Sequence, residues 1–197
     1  MDTKKKLIIS ASAFVVVLVA TIVAVVSVLA ATKVTVNSNV NITYTANGDV
    51  LGSIAVAAKN SKGTAVGTSG SKNLTAATGA TETLGSYSSL TLDNSDNKTI
   101  TFTFTLTNSS PVSDYTAKLK FTPGADPVHN VKMYTGTAEA SLTEITSTKF
   151  PSMASFDVNK SETKTFVVKI ELNDPNDDAR FIGTFAWELT SDRHPAA

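Results

Sequence analysis

The chain has 197 residues, and its 17 Lys and Arg balance 17 Asp and Glu to a formal net charge of zero. That balance gives no electrostatic footprint for nucleic acid or for an acidic membrane surface. It has no cysteine, which excludes disulfides, thiol nucleophiles and thiolate metal sites. Its fold must therefore rest on a packed core. Setting aside an N-terminal segment leaves about 165 residues, one domain of ordinary size that can bury such a core unaided.

Lys4, Lys5 and Lys6 precede an uncharged apolar run, Leu7–Ala31. The basic cluster stays on the cytoplasmic side, so the chain beyond the run faces outward. The run is long enough to span a bilayer, while Val28-Leu29-Ala30 before Ala31 resembles a small-residue cleavage site. We favour a cleaved signal peptide over a retained signal anchor. Residues 1–31 are thus set apart from a secreted or surface domain over 32–190, with a disordered tail at 191–197. A membrane enters only through Leu7–Ala31, if it is uncleaved.

In the mature chain, Val34, Val36, Val40, Ile42 and Tyr44 share one side of an extended segment, and Thr35, Asn37, Asn39, Asn41 and Thr43 share the other. A period of two marks a half-buried strand. Asn47-Gly48 suits a type I′ hairpin turn into a strand over Val50–Ala58. Ser61–Gly79 is rich in Gly, Ser, Thr and Ala and reads as loop or weak edge strand, followed by a short strand region around Leu84, Leu90 and Leu92. In Lys98–Asn108, Ile100, Phe102, Phe104 and Leu106 alternate strictly with threonines, a pattern that a helix would scatter around its circumference. Asn108-Ser109-Ser110-Pro111 ends it. Tyr115, Ala117, Leu119 and Phe121 mark the next strand, Val128–Tyr134 and Ala140–Thr146 weaker ones. Thr163–Leu172 and Phe181–Leu189 are strong, with Phe166, Val168, Ile170, Phe185, Trp187 and Leu189 inward. Eight or nine short strands at about ten-residue spacing, without an amphipathic helix, predict an all-β antiparallel sandwich or jelly roll.

Chemistry-bearing residues are sparse. The two histidines are His129, in a polar loop, and His194, near the C-terminus. No Gly-x-Ser-x-Gly elbow or His-Glu-x-x-His helix occurs. The acidic turns 93–97 and 174–178 lack the Gly and closing Glu of a calcium-binding EF-hand loop, and Asp and Asn are good turn formers in any case. Five Asn-x-Ser/Thr sequons begin at Asn41, Asn73, Asn97, Asn108 and Asn159; they matter only if exported asparagines are glycosylated. Trp187 shares the face of Phe185 and Leu189 and reads as core rather than as a sugar platform. We therefore expect no enzyme activity, no cofactor and no metal.

One arrangement points further. A basic and apolar leader is followed at once by a strand-forming N-terminus. Then come Leu90-Thr91-Leu92, the run Ile100–Ser109, Phe156-Asp157-Val158, the run Thr163–Leu172 and the closing Phe185-Ala186-Trp187-Glu188-Leu189. This resembles the TasA/camelysin type of exported biofilm-matrix protein, and archaeal pilus subunits of similar build. The resemblance implies a jelly roll whose subunits self-associate into filaments by donating an N-terminal strand to the next subunit. It places the donor strand at 32–46, with Val34, Val36, Val40, Ile42 and Tyr44 as its pocket-filling side chains. Main-chain hydrogen bonds would give affinity, and alternate side chains register. Camelysin-like proteins have been called metallopeptidases; with no metal-ligand cluster here, that activity is not carried over. Two alternatives stay open. Residues 34–44 form this donor strand, or the first arm of a hairpin with Val50–Ala58, or both in succession, self-inserted in the monomer and exchanged in the fibre. The molecule is either a fibre subunit or a monomeric, secreted or membrane-anchored Ig-like binding module.

Overall fold

A computed structural model of the chain describes residues 33–35, 37–48, 50–74, 79–88, 90–93, 98–124, 128–174, 177 and 179–191. The apolar run Leu7–Ala31, the tail from residue 192 and most of the acidic turn 93–97 lie outside these residues, as does Val36.

The elements are strands β1 (Lys33–Thr35), β2 (Asn37–Asn47), β3 (Gly52–Asn60), β4 (Gly70–Leu74), β5 (Thr81–Ser88), β6 (Thr91–Asp93), β7 (Thr99–Asn108), β8 (Tyr115–Pro123), β9 (Val131–Gly136), β10 (Thr143–Ile145), β11 (Ala154–Val158), β12 (Thr163–Leu172) and β13 (Arg180–Thr190). Two short 3-10 helices, Glu139–Ser141 and Ser147–Ser152, flank β10. The strands form an all-β sandwich. One sheet has the order β10-β9-β12-β7-β3-β4, the other β11-β8-β13-β2-β5, and β1 pairs with β6 in a separate two-stranded sheet.

The alternation in the sequence explains the core. In β7 every second residue, Ile100, Phe102, Phe104 and Leu106, is fully buried, while the threonines face outward. Phe166 and Ile170 on β12 and Phe185 and Trp187 on β13 are buried with them. Phe104 lies edge-on to Trp187 at 5.4 Å and Phe166 to Trp187 at 5.8 Å, while Phe102 lies tilted against Phe185 at 5.8 Å. These rings come from opposite sheets, so they knit the two layers together. At one side the sheets nearly touch. A Cβ on Gly70 of β4 would sit 1.9 Å from the carbonyl oxygen of Leu84 on β5, so only glycine lets those edge strands cross.

Three expectations need correction. The segment from Val34 to Tyr44 is divided between β1 and β2, which belong to different sheets. The hairpin at Asn47-Gly48 does not form: β2 and β3 lie in opposite sheets, and their connection crosses between the layers. Side-chain phase accounts for this. A two-residue turn there would place Ile42 opposite Ser53 and Asn41 opposite Ile54. Residues directly opposite share a face, so the apolar sides of β2 and β3 would point in opposite directions. Lying in facing sheets instead, both strands bury theirs: Val40, Ile42 and Tyr44 on β2, and Ile54, Val56 and Ala58 on β3. Finally, the sandwich is not wholly antiparallel, because β2 runs parallel to β13 along its full length, from Asn37↔Arg180 to Asn47↔Thr190.

Candidate functional site

The segment singled out by the sequence, β2, lies inside the five-stranded sheet. It is parallel to β13 on one side and antiparallel to β5 on the other, with a bulge between Ile42 and Thr43. Val40 and Ile42 are fully buried, and Tyr44 and Ala46 nearly so. Of the five predicted pocket-filling residues, the structure thus brings three together: Val40, Ile42 and Tyr44. Val34 lies in β1, opposite Leu92 of β6, and Val36 falls outside the described residues.

Polar contacts fix the register of β2. The Tyr44 hydroxyl donates to Glu82 Oε2 at 2.9 Å. Burial, then that hydrogen bond, then the carboxylate charge push the Tyr44 pKa up to about 12. Ser86 donates to Asn41 Oδ1 at 3.0 Å, and the Thr45 and Thr81 hydroxyls meet at 2.7 Å. At the C-terminal end of β2, the Ala46 and Asn47 carbonyls accept from the amides of Gly79 and Ser191. Beyond Asn47, four residues lead to Gly52 and the other sheet.

That end of the sandwich is organised by Asn108, a residue the sequence showed only as a turn former and a sequon. Its side chain is buried. Its amide Nδ2 donates to the carbonyls of Ser113 at 2.9 Å and Val158 at 3.0 Å, and its Oδ1 accepts from the Ser110 amide at 2.9 Å. One side chain thereby ties the β7–β8 loop to the end of β11. With its amide nitrogen so engaged, the sequon at Asn108 is closed to modification in the folded state, whereas Asn41, Asn73 and Asn159 are exposed.

At the opposite end, the β12–β13 turn is clipped to the β8–β9 loop. Asn130, in the left-handed region at φ 54°, donates to the carbonyls of Asp174 and Asp177 and accepts from the Asp174 amide. His129 bridges to Arg180 and lies 3.3 Å from the Asp177 carboxylate, with both side chains more than half exposed. Among the described residues, no three His, Asp or Glu side chains gather where they would hold a metal ion, and no helix is long and apolar enough to cross a membrane.

On the outer face of the six-stranded sheet, a shallow groove of about 370 Å³ is lined by Lys59, Thr99, Thr101, Glu139 and Lys169 among others. The Lys169 ammonium is engaged by Glu171 at 3.0 Å and by the Tyr134 ring at 4.4 Å. The groove carries hydroxyls and charge. No family model matches this chain, and no curated protein matches it.

Proposed function

We propose that the protein is an extracellular structural subunit of a surface fibre or biofilm matrix, exported through Leu7–Ala31 and assembled by β-strand donation between copies. The role is structural rather than catalytic, and the domain is read as a jelly roll of the TasA/camelysin type. The observation that carries this reading is the tethering of β2. It is the second strand in the chain, yet it lies inside its sheet against β13, the last strand. Covalently, it is joined to the body of the sandwich only through its C-terminal connection to β3. It can therefore leave, taking β1 with it, and be replaced by the β2 of another copy without threading a loop, which is the condition for domain swapping. Its alternating side chains specify one register, since a one-residue slip would turn Val40 and Ile42 to solvent.

A monomeric surface module is the second reading. It is favoured by the complete pairing of β2 within its own chain.

The absence of natural cysteine makes the two separable. Thr43 and Ala186 are directly paired across β2 and β13, within the Cα spacing that a disulfide spans. In a Thr43→Cys, Ala186→Cys double variant, self-insertion gives a disulfide within one chain, and donation gives a disulfide-linked ladder on a non-reducing gel. We expect a ladder from assembled material that collapses to one band on reduction. A single monomer band from concentrated, assembly-competent protein would refute donation.

A further inference from the structure

We infer that the end of the sandwich bearing Leu51 and Val112 is a self-association surface, and that its occupant is the same end of a second copy. The inference rests on the strand-donation reading and sharpens it by saying which surfaces must meet.

The connection out of β2 is short. Asn47 and Gly52 are separated by four residues, so their Cα atoms lie at most about 18 Å apart even when fully extended. The 11-residue β2 is itself about 36 Å long at a normal strand rise. A donated β2 seated beside β13 leaves its acceptor at the Thr190 end. The body of the donor resumes at Gly52, which pairs with Asn108 at the end of β7 and so belongs to that same end of its own sandwich. Stacking copies head to tail would require the connection to cover roughly the length of β2, about twice its reach. Donation therefore draws like ends together, either as a closed pair or as a filament whose subunits turn this end toward the axis.

This end is also where apolar surface is left uncovered. Leu51, 41% exposed, and Val112, 60% exposed, are the exposed large hydrophobics among the described residues. Single exposed apolar residues are ordinary, but these two lie on adjacent connections, Leu51 where the chain enters β3 and Val112 in the β7–β8 loop. The Ser109 amide donates to the Leu51 carbonyl at 2.9 Å. Gly52 comes next at φ 145°, where a Cβ would lie 1.8 Å from the Thr107 carbonyl oxygen, so the chain is pressed against β7 as only glycine allows. Val112 is fixed by Asn108, whose amide holds Ser113, and by Ser110 Oγ, which accepts from the amides of Val112 and Ser113 at 3.3 and 3.1 Å. A preorganised loop loses little conformational entropy on docking. Asp114, Lys160 and Glu162, all at this end, supply a polar rim of the kind that surrounds an interface centre; the Lys160 amide donates to Asp114 Oδ1 at 2.7 Å.

The test is Val112→Asp, introduced into the full chain alone and together with the Thr43→Cys, Ala186→Cys pair. Val112 is largely exposed, so the melting temperature should not change. Its role at the surface predicts that interchain disulfide yield and concentration-dependent sedimentation both fall roughly tenfold in affinity, because a carboxylate then replaces an isopropyl group at a desolvated contact. Unchanged interchain yield would overturn this inference and leave strand donation standing. If disulfides form only within chains, yet association of the otherwise unaltered chain is lost in Val112→Asp, the surface stands and donation falls. If the unaltered chain does not associate at any concentration, both fall.

Discussion

Asn108 concentrates at one position the kind of polar satisfaction on which a sandwich end depends. Replacing it by Ala would leave the Val158 and Ser113 carbonyls and the Ser110 amide without their partner. The Val158 and Ser110 partners are buried and the Ser113 one only partly so; a stranded buried group costs about 1–3 kcal/mol, so the two together predict a loss of about 2–6 kcal/mol in urea unfolding. Asn108→Asp should cost more at neutral pH, because it sets a carboxylate against two carbonyl oxygens. Phe104, fully buried against Trp187 and Phe185, answers to apolar packing instead. Phe104→Ala should lower stability by about 3–5 kcal/mol, and a melting temperature unchanged within error would show that the residue is not packed as described. Tyr44 links this scale to pH. Its hydroxyl is held neutral, with the folded pKa near 12 against 10 for the free side chain. The folded state therefore keeps its proton where the unfolded chain loses it. That contribution is complete below about pH 10 and falls away as the pH rises toward 12. Burial also raises Tyr87 and Tyr115, so the urea midpoint should drop in this alkaline window, and Tyr44→Phe should lessen the drop without abolishing it.

Among the elements, strand existence was legible in the sequence and strand partnership was not. The threonine alternation of β7 and the inward series of β12 and β13 reflect local geometry, two residues per repeat, and each is buried on the predicted face. Pairing is a non-local property. Asn47-Gly48 carries a strong local turn signal, yet it bridges two sheets, because the apolar phases of β2 and β3 are incompatible across a two-residue turn. That incompatibility was present in the sequence, and counting phase across the turn would have found it. The parallel contact of β2 with β13 could not be read that way, since nothing local joins residue 37 to residue 180. Nor could the Asn108 network, whose acceptor on Val158 is 50 residues away. That Val40, Ile42 and Tyr44 share a buried face was legible, while the neighbours of that face were not. Gly70 offers a check on the element arrangement. Because a Cβ there would overlap the Leu84 carbonyl, Gly70→Ala must push β4 and β5 apart. We expect faster amide hydrogen exchange in β4 and β5, with β7 and β12 little changed, since those two strands lie inside their sheet.

For the molecule as a whole, the first question is what precedes β1. The small residues before Ala31 lead us to expect a mature N-terminus at Ala31 or Thr32; an exported protein whose intact mass still includes residues 1–30 would be anchored instead. The second question is whether the sandwich can exist without β2. Val40, Ile42 and Tyr44 are each buried to 5% exposure or less, and burial of such side chains contributes about 1.5–3 kcal/mol apiece. Together they approach the entire stability of an ordinary domain, about 5–15 kcal/mol. Removing β2 would also expose the unpaired edges of β13 and β5. A chain lacking residues 1–47 should therefore fail to unfold cooperatively, showing a broad thermal transition or aggregating. Because β2 is tethered at one end only, the missing strand need not be covalently attached. Refolding that chain with a synthetic peptide spanning residues 33–47 should restore a sharp transition whose midpoint rises with peptide concentration, as mass action requires of a ligand that binds only the folded state. A peptide with Val40 and Ile42 both replaced by Asp should have no such effect. A sharp, peptide-independent transition would show that the sandwich does not need β2. Failure of the native peptide at any concentration would show that β2 acts only within its own chain, and would leave the monomeric module as the better account of the molecule.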